Sequence, residues 1–242
     1  MGIEGNGYFS WYMDLSDFDI ASYQAGPFVN WHFSENWFLS ARYGFNYVDL
    51  GHDPYLTRHV VTPQLTYIEK NFGYTSAYYQ FEARQFDEDS PPALDRDGQI
   101  HALGILQGIN LPAIFRDAGP ANLEVSYRFE DQVADGSDFD GLFHTIGATL
   151  YVPLPVWKLR ADIAGSISYD GYTHGNSLDD DGDERKDLEY NVSVGLSRQI
   201  NKNFTVRADY TYTDHDSNVE SAGFHPYSYD RNQAGIRLII TF

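Results

Sequence analysis

Four places in this chain bring together residues capable of chemistry. Asp214-His215-Asp216 sets an imidazole between two carboxylates, as a general base toward water would need, with Asp87 and Asp89 as a candidate second acidic pair. Tyr172-Thr173-His174-Gly175-Asn176-Ser177 holds a histidine and a serine, the residue types of nucleophilic hydrolysis. Asp179-Asp180-Asp181-Gly182-Asp183-Glu184 offers carboxylate oxygens to a cation such as Ca²⁺, without the full spacing of a helix-loop-helix calcium site. The fourth is distributed: Glu82 and Arg84, Arg128 and Glu130, Arg160 and Asp162, and Arg207 and Asp209 repeat charge at every second residue. For the first three the plainer reading is a polar or acidic loop in solvent, and it is adopted: no catalytic residue, metal or cofactor is expected. His32, His101 and His144 stand alone in the sequence and read as structural.

A repeat of two is the side-chain period of a β-strand, so the fourth pattern says what must position its charges. From Phe204 to Thr213 the faces separate cleanly: Phe204, Val206, Ala208, Tyr210 and Tyr212 against Thr205, Arg207, Asp209, Thr211 and Thr213. Ala234, Ile236, Leu238, Ile240 and Phe242 continue the apolar face in the last run. Read this way, the chain holds twelve strands. Their approximate spans are 7–15, 20–33, 37–48, 58–69, 74–86, 99–111, 122–131, 142–152, 157–169, 187–199, 204–213 and 233–242. The sixth has no clean polar face and its register stays open. Connections after strands 2, 4, 8 and 10 are short, and those after 5, 9 and 11 are long and acidic. No helix, domain boundary or fixed-period repeat is visible, so residues 1–242 form one domain.

The run Gln233-x-Gly235-x-x-Leu238-x-Ile240 with a terminal Phe242 resembles the C-terminal assembly signal of bacterial outer-membrane β-barrels. With its lead-in Tyr229-Asp230-Arg231-Asn232, the last strand also resembles barrels at the C-termini of some tetratricopeptide-repeat outer-membrane proteins. The resemblance implies an all-β fold, a closed antiparallel transmembrane barrel of about twelve strands with short periplasmic turns and long acidic extracellular loops. It implies the outer membrane as location, with membrane lipid and the barrel-assembly machinery as partners. The His215 and His174 segments loosely resemble sites of outer-membrane proteases and phospholipases, with departures in spacing.

Composition agrees. The 242 residues carry 16 Lys and Arg against 35 Asp and Glu, a net charge of −19 that argues against nucleic acid. There is no cysteine, and the 19 Tyr and 16 Phe suit interface girdles. No apolar run is long enough for a membrane helix. A signal peptide is not visible after Met1; a removed leader, a missing N-terminal portion or a cytoplasmic home would each account for that. The soluble alternative is a sandwich or barrel with the apolar face as its core. Strands of ten or more residues, aromatics near strand ends and loop lengths sorted by parity favour the membrane.

If the polar face lines a lumen, its charges are Arg42, Glu82, Arg84, Glu124, Arg128, Lys158, Arg160, Asp162, Glu189, Arg207, Asp209 and Arg237. Cations in a pore favour anions. The same charges paired across strands would instead plug a narrow barrel. The expected function is a monomeric porin-like channel for small solutes, anionic ones among them. Alternatives are the barrel domain of a larger polysaccharide-export or secretion protein, and an outer-membrane hydrolase with a rim site.

Overall fold

The computed structural model describes residues 1–10, 17, 19–87, 91–179 and 181–240. Its strands are β1 (Gly2–Ser10), β2 (Ile20–His32), β3 (Trp37–Leu50), β4 (Asp53–Glu69), β5 (Gly73–Phe86), β6 (Gly98–Leu111), β7 (Ala121–Ala134), β8 (Gly141–Pro153), β9 (Leu159–Gly175), β10 (Glu184–Gln199), β11 (Phe204–Ser217) and β12 (Tyr229–Ile240). They form one antiparallel sheet in which each strand pairs with its sequence neighbours. Among the described residues no ladder joins β12 to β1. Short 3₁₀ turns, among them Pro92–Leu94 and Ser137–Phe139, interrupt this all-β order.

The sheet is strongly concave. Strands lie about 4.8 Å apart, so second neighbours are about twice that distance away. Yet side chains meet across an intervening strand at several levels: Tyr74 of β5 with Glu124 of β7, Arg128 of β7 with Gln80 of β5, and Arg207 of β11 with Asp162 of β9. All of these lie on one face, the polar one.

The opposite face carries the apolar side chains and leaves them uncovered. Leu103 is 58% exposed, Ile146 61% and Val192 53%. Among the described residues the buried apolar set is only Ile100, Ala102, Ala121, Val152 and Val219. Accessible surface totals 15463 Å². A soluble globule of 27.5 kDa would expose about 11,000 Å². A sandwich core is therefore excluded; the protein is a curled wall one sheet thick.

Several boundaries differ from the sequence reading. β1 begins at Gly2, five residues before the expected Gly7, because Gly2 to Asn6 pair with Gln24 to Phe28 despite weak alternation. Residues 11–15 of the expected first strand lie outside the described residues. β4 begins at Asp53, since Gly51 and His52 both have positive φ (60° and 77°) and close a two-residue hairpin there. A bulge after Val48 absorbs the extra residue.

The rim joining β2–β3, β4–β5, β8–β9 and β10–β11 has connections of three to five residues, although the β6–β7 connection on that rim is longer. This is the turn rim. On the opposite, loop rim, the connections after β5, β9 and β11 are long, as expected, whereas β3–β4 is the two-residue hairpin.

The open register of β6 has a structural cause. Its inner face is Ile100, Ala102, Gly104, Leu106 and Gly108, small or apolar because tyrosines of β5 lie across it. Its outer face includes His101, Leu103, Ile105 and Gln107. Neither face is polar, so alternation carried no phase.

Candidate functional site

Strand parity puts Arg42, Glu82, Arg84, Glu124, Arg128, Arg160, Asp162, Glu189, Arg207, Asp209 and Arg237 on the inner face. Lys158 is the exception. It sits in the exposed β8–β9 turn at φ 53°, beside Trp157 at φ 52°, because β9 starts only at Leu159. The alternation read through Trp157 and Lys158 belongs to a left-handed turn.

Most inner charges are paired. Glu82, 3% exposed, takes Arg84 Nε at 2.5 Å and Arg58 at 3.6 Å. Arg128 Nε donates to Glu130 at 2.6 Å. Arg207 holds Asp162 with two parallel bonds of 2.6 and 2.7 Å, the fork geometry that makes arginine–carboxylate pairs directional. Asp209 accepts from Arg237 at 2.7 Å, and Arg42 reaches Glu4 at 3.5 Å. Arg160 differs: among the described residues no carboxylate lies within ion-pair distance, and its guanidinium stacks 4.1 Å over the Tyr151 ring.

Glycine makes the crossings possible. Gly195 of β10 faces Asp162 on one side and Asp209 on the other. A Cβ there would stand 2.5 Å from both Arg207 Nη2 and Asp162 Oδ2, so the pair passes through the space a side chain would fill. Gly108 of β6 does the same for Tyr74, whose ring would lie 2.2 Å from a Cβ as its hydroxyl donates to Glu124 at 2.6 Å.

Several hollows open on the inner face, and two of them are neighbours. One, about 410 Å³, is lined mostly by small side chains of β7 to β11, including Ser126, Thr149, Ser166, Ser193 and Thr211. The other, about 350 Å³, lies at the turn rim among Pro120, Asn122, Tyr151, Pro153 and Arg160. Glu124 lines both.

Near the loop rim His215 is inward and 8% exposed. Its sequence neighbours Asp214 and Asp216 project to the other face, so they are not its partners. Those come from β10: Asp187 Oδ2 lies 3.1 Å from Nε2 and Glu189 Oε2 lies 3.2 Å from Nδ1. Both ring nitrogens face carboxylates. The ring stacks on Tyr229, with centroids 4.9 Å apart. Beside it, buried Arg185 binds Asp187 and lies between the rings of Tyr172 and Tyr227. Of the proposed second acidic pair, Asp89 lies outside the described residues.

Ser177 and His174 are not joined to each other. Ser177 Oγ donates to Asp138 at 2.5 Å, while His174 Nδ1 lies 3.2 Å from Thr173 Oγ1. Asp179 accepts from the backbone nitrogens of Asp183 at 2.8 Å and Glu220 at 3.2 Å, tying the β9–β10 loop to the β11–β12 loop. Those bonds, the one from Asp183 foremost, hold its carboxyl below the usual range. Among the described residues no His, Cys, Asp and Glu cluster has metal-site geometry; Asp180 lies outside them.

Histidines that looked solitary are part of a repeated unit on the outer face. Tyr43–His59, Tyr79–His101 and Tyr127–His144 each join a tyrosine hydroxyl to Nδ1 at 2.7, 2.6 and 2.8 Å. Each imidazole also lies 5.2 Å from a phenylalanine ring, Phe45, Phe81 or Phe129. His32 packs on Phe38. In the C-terminal pattern, Gln233, Gly235 and Arg237 share the inner face of β12 and Leu238 the outer. Ile240 ends the strand opposite Phe204, and Phe242 lies outside the described residues.

Sequence reasoning missed Tyr74, Tyr151, Asp170, Arg185 and Asp187 as inner groups. Counting parity back from Glu189 would have found Asp187 and Arg185. Nothing marked Tyr74, which needed the register of β5 on β6.

No protein-family model and no curated protein matches the sequence. Among solved structures, the translocator domain of the autotransporter NalP from Neisseria meningitidis is similar at a TM-score of 0.42 and 14% identity, over 99% of this chain and 86% of that chain. Strand order, concavity and the inversion of apolar and polar faces define the class: a twelve-stranded antiparallel β-barrel fold with a greasy exterior and a polar interior.

Proposed function

We propose that the chain is a monomeric outer-membrane barrel acting as a passive, porin-like channel for small solutes. One observation carries this reading: the apolar side chains cover the convex face while the concave face is polar and hollowed from the turn rim inward. Water cannot be the medium on both sides of such a wall, because the exposed apolar area would drive aggregation. In hydrocarbon every backbone donor and acceptor needs a partner within the protein, so β12 meets β1 and the barrel closes. The C-terminal pattern supports delivery by the barrel-assembly machinery, and the long acidic loops face outward.

The paired lining makes selectivity mild. Arginines neutralised by neighbouring carboxylates add little net field, so anion preference rests on the least compensated cations, Arg160 at the turn rim and Arg231 towards the loop rim. Purified protein added to a planar lipid bilayer should give discrete conductance steps with modest anion selectivity. Membranes that stay silent at protein levels giving full insertion would overturn the channel reading.

A further inference from the structure

We propose that the turn-rim hollow is a binding subsite for small carboxylate solutes, with Arg160 as its anchor and Glu124 as its inner limit. Five observations meet there. Arg160, exposed to the hollow, is one of two inner guanidiniums left without a carboxylate among the described residues, the other being Arg231 near the loop rim. Stacking on Tyr151 occupies one face of the guanidinium plane and leaves its N–H edge free, the edge that recognises carboxylate in a fork. Asn122, at the same mouth, adds amide groups, its Nδ2 already giving one bond to Asn110 Oδ1 at 3.0 Å. Pro120 and Pro153 supply lining without a backbone donor of their own.

The fifth observation is where the hollow ends. Glu124 stands between it and the mid-barrel hollow, lining both. Its position is fixed by Tyr74 reaching across β6 over Gly108. A solute anion entering from the turn rim meets a cation first and a carboxylate second. It is held at the mouth and repelled at Glu124, so the site makes anion passage asymmetric. In transport this inference rests on the channel reading; as a binding site it stands by itself.

The test separates the two. Citrate serves as the probe, on folded protein in detergent and in planar bilayers. Calorimetry should detect citrate binding to the native protein, weakened at least tenfold in Arg160→Gln and only partly restored in Arg160→Lys, which keeps the charge but loses the fork. Arg198→Gln, on the outer face near the same rim, should bind as the native protein does. In bilayers, citrate should block the current at lower concentration from the turn-rim side than from the loop side. Arg160→Gln should remove that asymmetry, and Glu124→Gln should raise the anion-to-cation permeability ratio. Binding with no conductance would keep the subsite and end the channel reading. Conductance with citrate binding absent, or unchanged in Arg160→Gln, would end the subsite and keep the channel.

Discussion

Tyr74 on β5 donates its hydroxyl to Glu124 on β7 at 2.6 Å, spanning the whole width of β6 at Gly108. The missing side chain at Gly108 is thus as much a part of the bond as the two groups that make it. Gly108→Val should push the Tyr74 ring aside and break the bond. The cost expected for forcing added methyl groups into a packed site is about 1–3 kcal/mol. Urea unfolding in detergent micelles checks it, with Gly119→Val, whose added Cβ would meet only Pro153 at 3.9 Å, as a contrast. Equal stability of the two variants would show that Tyr74 yields freely.

Arg207 and Asp162 make the same kind of crossing over Gly195 with full charges. Asp162 is 4% exposed, so Arg207→Gln strands a carboxylate in a poorly solvated place. Part of Arg207 remains open to the lumen, so the loss should be about 1–3 kcal/mol, below that of a fully buried pair. Adding Asp162→Asn to that variant should recover most of it. A double variant no better than the single one would mean that the pair's geometry matters more than its charge.

The loop rim carries its own pH signature. The folded-state pKa of Asp179 is depressed, with backbone donors, Asp183 first, favouring the charged form. A depressed carboxyl contributes stability that is fully present above its unfolded value of about 3.9 and lost as pH falls through the lower folded value. Protection of the Asp181, Asp183 and Glu220 amides against hydrogen exchange, corrected for intrinsic rate, should be level from pH 7 to about 4 and drop below that. Asp179→Asn should show weak protection throughout. A decline already under way near pH 6 would point to a different group.

Closure of the barrel can be tested without a structure. The chain has no cysteine, so engineered pairs report cleanly. Ile3 and Leu238 are both on the outer face, on the edge strands β1 and β12. In one of the registers that parity allows, Ile3→Cys should cross-link with Ile236→Cys or Leu238→Cys in isolated membranes. If neither pair forms a disulfide under oxidation while an adjacent-strand control such as Val206→Cys with Leu238→Cys does, the two edges do not meet.

How much of this was readable beforehand depends on which residues carried phase. β11 could be placed from Phe204 to Thr213 because apolar and polar residues never change places there. β6 could not, because Gly104 and Gly108 answer to tyrosines on another strand, and that relation lies in register rather than local order. His215 was noticed for Asp214 and Asp216, which its own strand turns away from it; its true partners lie 26 and 28 residues earlier. Lys158 was misplaced since a left-handed turn copies the spacing of a strand for two residues. Side-chain alternation reveals faces, while cross-strand chemistry needs the ladder.

With five buried apolar side chains among the described residues, this chain has almost no interior of its own to damage. In a water-soluble protein, trimming a leucine leaves a void whose walls lose contacts. With the proposed lipid on the outer face, trimming Leu103 or Ile146 should leave none, because fluid acyl chains would flow into the gap and only the transfer energy of the deleted carbons would be lost. Tolerance to substitution should therefore be greatest where the residues are greasiest and least at the inner glycines, the reverse of the gradient found in globular enzymes.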